Sequence, residues 1–148
     1  MSVHIESPLG FTADFPEHTQ VLEDSTAGPN TEQYGLLGGV LVTVIKDDTS
    51  VQGAPQANGW AHLMSGFYLE EKAGFLLTEG ELNLTGKSAY AVVAGYDDAE
   101  GAGKVAATVG VWERGRFIGL VVIWPYVSPD VEPRLSMLRE IVASISVG

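Results

Sequence analysis

The string Gly80-Glu81-Leu82-Asn83-Leu84-Thr85-Gly86-Lys87-Ser88 is the closest approach in this chain to a reactive motif. A phosphate-binding loop needs G-x-x-x-x-G-K-[ST], in which backbone amides and a lysine surround the anion. Here five residues rather than four separate the glycines. Leu82 and Leu84 alternate as a strand does, and Ser88-Ala89-Tyr90-Ala91-Val92-Val93 continues as another. A phosphate cradle also requires a helix N-terminus after the lysine, whose free amides hold the charge. The string therefore reads as a hairpin turn. Asp97-Asp98-Ala99-Glu100-Gly101 suggests calcium, but the third and fifth positions of such a loop would be Ala99 and Gly101, which offer no side-chain oxygen. His4, His18 and His62 lack H-x-x-x-H or H-E-x-x-H spacing, and no G-x-S-x-G elbow marks a nucleophile. Asp47-Asp48 and Glu70-Glu71 are sequence neighbours, so their side chains diverge and read as solvated charge. The expectation is a chain without catalytic residues, cofactor or metal, hence not an enzyme.

Charge narrows the choice of partner. Of 148 residues, 19 are acidic and 8 are Lys or Arg, giving a net charge of −11, and the first basic side chain in the sequence is Lys46. Glu6, Asp14, Glu17, Glu23, Asp24 and Glu32 all precede it. Such a field repels phosphate backbones, which argues against nucleic acid, and attracts a basic protein surface. Glu23, Asp24 and Glu32 are the docking residues that this reading selects. The same acidity also serves solubility alone. No run reaches the ~18–20 apolar residues that span a bilayer. Met1-Ser2-Val3-His4-Ile5-Glu6 lacks the basic and apolar regions of a signal peptide, so a cytoplasmic protein is expected.

The elements that would position these residues follow from periodicity. In Arg116-Phe117-Ile118-Gly119-Leu120-Val121-Val122-Ile123-Trp124 apolar residues fall on both parities, as in a strand buried on both faces. A layered architecture provides that cover. Val3–Glu6 and Phe11–Phe15 read as strands about the Ser7-Pro8-Leu9-Gly10 turn, Thr19–Asp24 as a third, and Val40–Ile45 as a fourth. Tyr34–Gly39, with three glycines, reads as a bulged extension of that fourth strand. A helix starts near Pro55, and its Trp60, Leu63, Met64, Phe67 and Glu71 recur at helical spacing, the four apolar ones as a buried stripe. Gly74 ends it.

Four strands come next: Phe75–Leu84, Ser88–Tyr96, Lys104–Glu113 and Arg116–Trp124. A final helix runs from Pro129 to Ile145, N-capped by Ser128, with Val131, Leu135, Leu138, Ile141, Val142 and Ile145 inward. A two-residue turn at Arg114-Gly115 sets Glu113 opposite Arg116, Trp112 opposite Phe117 and Gly110 opposite Gly119. The first pair would be an ion pair at an exposed tip. The glycines bare a patch beside Trp112 and Phe117, which either admits a helix or leaves a hollow for a small apolar ligand. Tyr126, between Pro125 and Ser128, is the aromatic expected at the surface.

This order of elements, with Gly10-Phe11-Thr12-Ala13-Asp14-Phe15-Pro16 near the start, resembles the PsbP-like superfamily, which includes PsbP, Ran-binding Mog, DcrB-type and LpqN-type proteins. Leu82-Asn83-Leu84-Thr85-Gly86 and Ala143-Ser144-Ile145 are similar to its turn after the first helix and to its tail. The resemblance implies one α+β domain over residues 1–148. Its antiparallel sheet would hold six to seven strands sandwiched by helices (α/β/α), in the order ββββ-α-ββββ-α. It also implies a non-catalytic accessory or protein-binding module, here of a bacterium. It transfers no functional residue: the chain has no cysteine for a lipobox.

Overall fold

The computed structural model describes residues 2–22, 30–46, 51–128 and 130–147. The strands are β1 (Val3–Glu6), β2 (Phe11–Phe15), β3 (Gln20–Val21), β4 (Thr31–Leu36), β5 (Val40–Lys46), β6 (Phe75–Glu81), β7 (Ser88–Asp97), β8 (Gly103–Glu113), β9 (Arg116–Pro125) and β10 (Ser146–Val147). The helices are α1 (Ala54–Gly66), which runs on into a π-helical turn over Phe67–Glu71, and α2 (Glu132–Ser144). A seven-stranded antiparallel sheet has the order β3-β4-β5-β9-β8-β7-β6, and a three-stranded one has the order β1-β2-β10. The molecule is an α+β sandwich.

β9 lies inside the large sheet between β5 and β8, and Leu120 and Val121 are both buried. The double-parity run therefore has cover on each side. One sheet face carries Val42, Val44, Val109, Ile118, Leu120 and Val122, and meets α2 through Leu135, Leu138, Ile141 and Val142. Phe11, Ala13 and Phe15 of the small sheet close the same core, with Phe15 stacked on Tyr34 at 4.6 Å. The other face receives α1. Pairing across the last hairpin places Glu113 opposite Arg116, Trp112 opposite Phe117 and Gly110 opposite Gly119.

Several expectations are corrected. Tyr34–Gly39 is not an extension of β5. Thr31–Leu36 forms a separate strand antiparallel to it, and Leu37, Gly38 and Gly39 make the turn, where positive φ at both glycines reverses the chain. Among the described residues, five strands thus precede α1 rather than four. The third strand is only Gln20–Val21, and Glu23 and Asp24 lie outside the described residues. Ser128 does not cap α2: its hydroxyl accepts from Asp130 N, and the Asp130 carboxylate accepts from Glu132 N at 3.1 Å.

The α1 stripe is also corrected. Leu63 is 75% and Phe67 47% exposed, while Ala57, Ala61 and Ser65, one turn apart, face the sheet. Gly110 and Gly119 in the sheet beneath let the helix approach more closely than larger side chains would allow.

β6 is the outer strand of the large sheet, and among the described residues no strand pairs with its far side. Its register shifts between Leu76 and Thr78, and Glu79 and Glu81 are exposed.

Candidate functional site

Gly110 and Gly119 sit beneath α1. A Cβ on Gly110 would lie 2.0 Å from the Ala57 carbonyl oxygen, and one on Gly119 would lie 2.4 Å from the Trp60 ring. Trp60 meets Phe117 edge-on at 5.2 Å, and Trp112, half-buried, packs against the same cluster with Val51. The hollow open to a small apolar ligand is thus filled by the chain's own backbone and indole. Thr108 reinforces the contact by donating its hydroxyl hydrogen to Ala61 O at 2.8 Å. Tyr126 is half-buried rather than free, edge-on to Phe75 at 6.1 Å.

The Gly86-Lys87-Ser88 string holds a helix end, not a phosphate. Lys87 Nζ donates to the carbonyls of Val142 and Ala143, each at 3.1 Å, and to that of Ile145. Val142 O also accepts from Ile145 N at 3.2 Å, so the ammonium adds to the cap at the C-terminal, negative end of the α2 dipole. The same ammonium meets Glu113 Oε2 at 2.9 Å, both side chains being less than a tenth exposed. Glu113 Oε1 accepts from Val147 N. The expected exposure at the hairpin tip is corrected for Glu113, which faces Arg116 across the turn but is itself buried and meets Lys87.

Where the acidic field meets a concavity is the junction of β2 and α2. A groove of about 430 Å³ opens there. Asp14, Phe15 and Pro16 form one wall. Met137, Glu140, Ile141 and Ser144, at i, i+3, i+4 and i+7 on α2, form the other. Phe15 and Ile141, each 1% exposed, form the base of an apolar floor together with half-buried Met137. Ser144 fastens the walls: its hydroxyl accepts from Asp14 N at 2.8 Å and donates to Ile141 O at 2.7 Å, with Asp14 O a longer acceptor at 3.2 Å. Asp14 Oδ1 lies 2.8 Å from His4 Nδ1. Glu140 is exposed and makes no ion pair among the described residues. Among the docking residues the sequence selects, Glu32 is half-buried and accepts from the Ser7 hydroxyl at 2.7 Å, locking the first hairpin to β4.

No family model matches this chain, and no curated protein matches it. Solved structures do. A point mutant of Mog1 superposes with a TM-score of 0.67 at 11% identity, over 99% of this chain and 96% of its own. The Ran-binding protein Mog1p of Saccharomyces cerevisiae gives 0.65 at 12%, over 99% and 95%. The cyanobacterial PsbP of Synechocystis sp. PCC 6803, CyanoP, gives 0.61 at 10%, over 99% and 92%. The chain has the PsbP/Mog1-like fold. At these identities the likeness is one of architecture, and every site must be argued from this chain's own residues.

On this PsbP/Mog1-like frame the structure also assembles a cluster that motif spacing missed. His62 of α1 has Nε2 3.6 Å from Glu79 Oε2, and Tyr90 donates its phenol hydrogen to the same oxygen at 3.1 Å. The His62 and Tyr90 rings are 5.1 Å apart. The phenol is held above its ordinary value of 10.0, by loss of hydration first and by the hydrogen bond to Glu79 next. His62 and Glu79 are each more than a third exposed, so the cluster ties the helix to the sheet rim in water rather than excluding water from a reacting centre. The β6 register sets Glu81, not Glu79, opposite Tyr90, and His62 comes from α1, so neither spacing nor register reveals the cluster. Among the described residues no three His, Asp or Glu side chains are placed to hold a metal ion. No described helix is long and apolar enough to cross a membrane.

Proposed function

We propose that this chain is a non-catalytic accessory module that docks onto another protein bearing a basic surface. The observation that carries the reading is the β2–α2 groove, where two carboxylates, Asp14 and Glu140, flank an apolar floor on a chain of net charge −11. An apolar floor supplies affinity, and charge of one sign at its rim selects partners and speeds encounter. The yeast protein of the same fold is a Ran-binding protein, which supports a protein as the partner class.

Affinity capture from the native organism, followed by carbodiimide cross-linking, tests the reading. The expected result is a retained protein that is released by raised salt and cross-linked through its lysines to carboxylates of this chain. Retention that ignores salt, or turnover of a captured small molecule, would overturn it.

A further inference from the structure

Resting on the docking reading above, we infer that the β2–α2 groove takes a single arginine or lysine side chain from an exposed segment of the partner protein. The argument begins with what the groove withholds. β10 pairs with Phe11 and Thr12 of β2 and goes no further. Beyond it, the Asp14 N–H is taken by Ser144 Oγ at 2.8 Å, and that oxygen also lies 3.2 Å from Asp14 O. Phe15 is paired with Val3 on the opposite side, and Pro16 has no N–H. An incoming segment finds no main-chain ladder to extend, so strand addition is closed and recognition falls to a side chain.

What the groove does present is specific. Phe15, Met137 and Ile141 are apolar, and the two carboxylates stand at the rim. A short apolar side chain would fill the floor and leave the carboxylates unanswered. An acidic one would be repelled. A basic side chain satisfies both, because its aliphatic stem covers the floor while its charged head stays at the wet rim. Asp14 already has His4 beside it, whereas Glu140 is uncommitted, so Glu140 is the principal contact for the cation.

The test uses the whole chain, labelled with ¹⁵N, titrated with three capped pentapeptides alternating leucine with arginine, glutamine or glutamate. The arginine peptide is expected to shift the amides of Asp14, Phe15, Met137, Ile141 and Ser144, and to bind roughly tenfold or more tightly than the glutamine peptide, a factor worth ~1.4 kcal/mol. Glu140→Gln is expected to abolish that preference, while Glu100→Gln, which removes equal charge from a distant loop, leaves it intact. Spectral dispersion reports that each variant is folded. Equal binding of the arginine and glutamine peptides, or equal weakening by both substitutions, overturns the inference. Arginine-dependent shifts clustered elsewhere would sink the groove and leave the basic-partner reading standing. Absence of arginine-dependent binding together with a captured partner that ignores salt would remove both.

Discussion

Lys87 shows how far a residue's role can depart from the motif around it. Its ammonium answers three carbonyls and a carboxylate that the fold buries together. Removing one member of a buried pair strands the other, at about 3–5 kcal/mol. Lys87→Met is therefore expected to destabilise by that order and to speed amide exchange at Val147, whose N–H rests on Glu113. Equilibrium urea unfolding and hydrogen exchange check both. A loss below about 1 kcal/mol would show that the helix end is held otherwise. Asp98 makes a prediction in pH. Its Oδ1 accepts from Ala102 N and Glu100 N, both at 2.9 Å, and the Ala102 bond chiefly holds the carboxyl below its ordinary 3.8. The unfolded chain then takes up this proton first on acidification. The stabilisation is complete above the ordinary value and fades as pH falls through the depressed one. Asp98→Asn, which still accepts through its amide oxygen, is expected to flatten that part of the melting-temperature profile. An unchanged acid limb would exclude Asp98 as its source.

At the scale of elements, the contact of α1 with the sheet is the sensitive joint. Gly110→Ala would press a methyl group onto the Ala57 carbonyl, and overpacking of this kind costs about 1–3 kcal/mol. Leu63→Ala, on the outer face of the same helix, is expected to stay within about 0.5 kcal/mol of the parent. Urea midpoints that ranked the two the other way would mean that the helix faces the sheet differently. These two positions also show what a bare sequence can reveal. The Gly110–Gly119 pairing was readable because a two-residue turn dictates register. The buried face of α1 was not, because Ala57, Ala61 and Ser65 carry little hydrophobic signal, whereas the solvent-facing Leu63 and Phe67 carry much. Likewise Thr31–Leu36 was hidden by its weak apolar alternation. A glycine-rich turn such as Leu37-Gly38-Gly39 has the pattern of the strand it feeds.

At the scale of the whole molecule, the acid bias is legible in the sequence but the proximity of Asp14 to Glu140 is not. Asp14 and Glu140 are distant in sequence and share a groove only because Ser144 pins β2 to α2. No spacing rule reaches across such a gap, whereas composition points to Glu23, Asp24 and Glu32, of which Glu23 and Asp24 lie outside the described residues. The large sheet has a second acidic feature with a different consequence. β6 ends the sheet with an irregular register and with Glu79 and Glu81 in water. Any neighbour zipping onto that border would have to strip both carboxylates of hydration while meeting a kinked track. Replacing the two glutamates by valine should therefore let copies stick together, visible as light scattering that climbs with concentration. A variant that stays clear would show that the kink is deterrent enough. In that respect the negative charge along β6 would work as a fence, opposing edge-to-edge pairing of sister molecules.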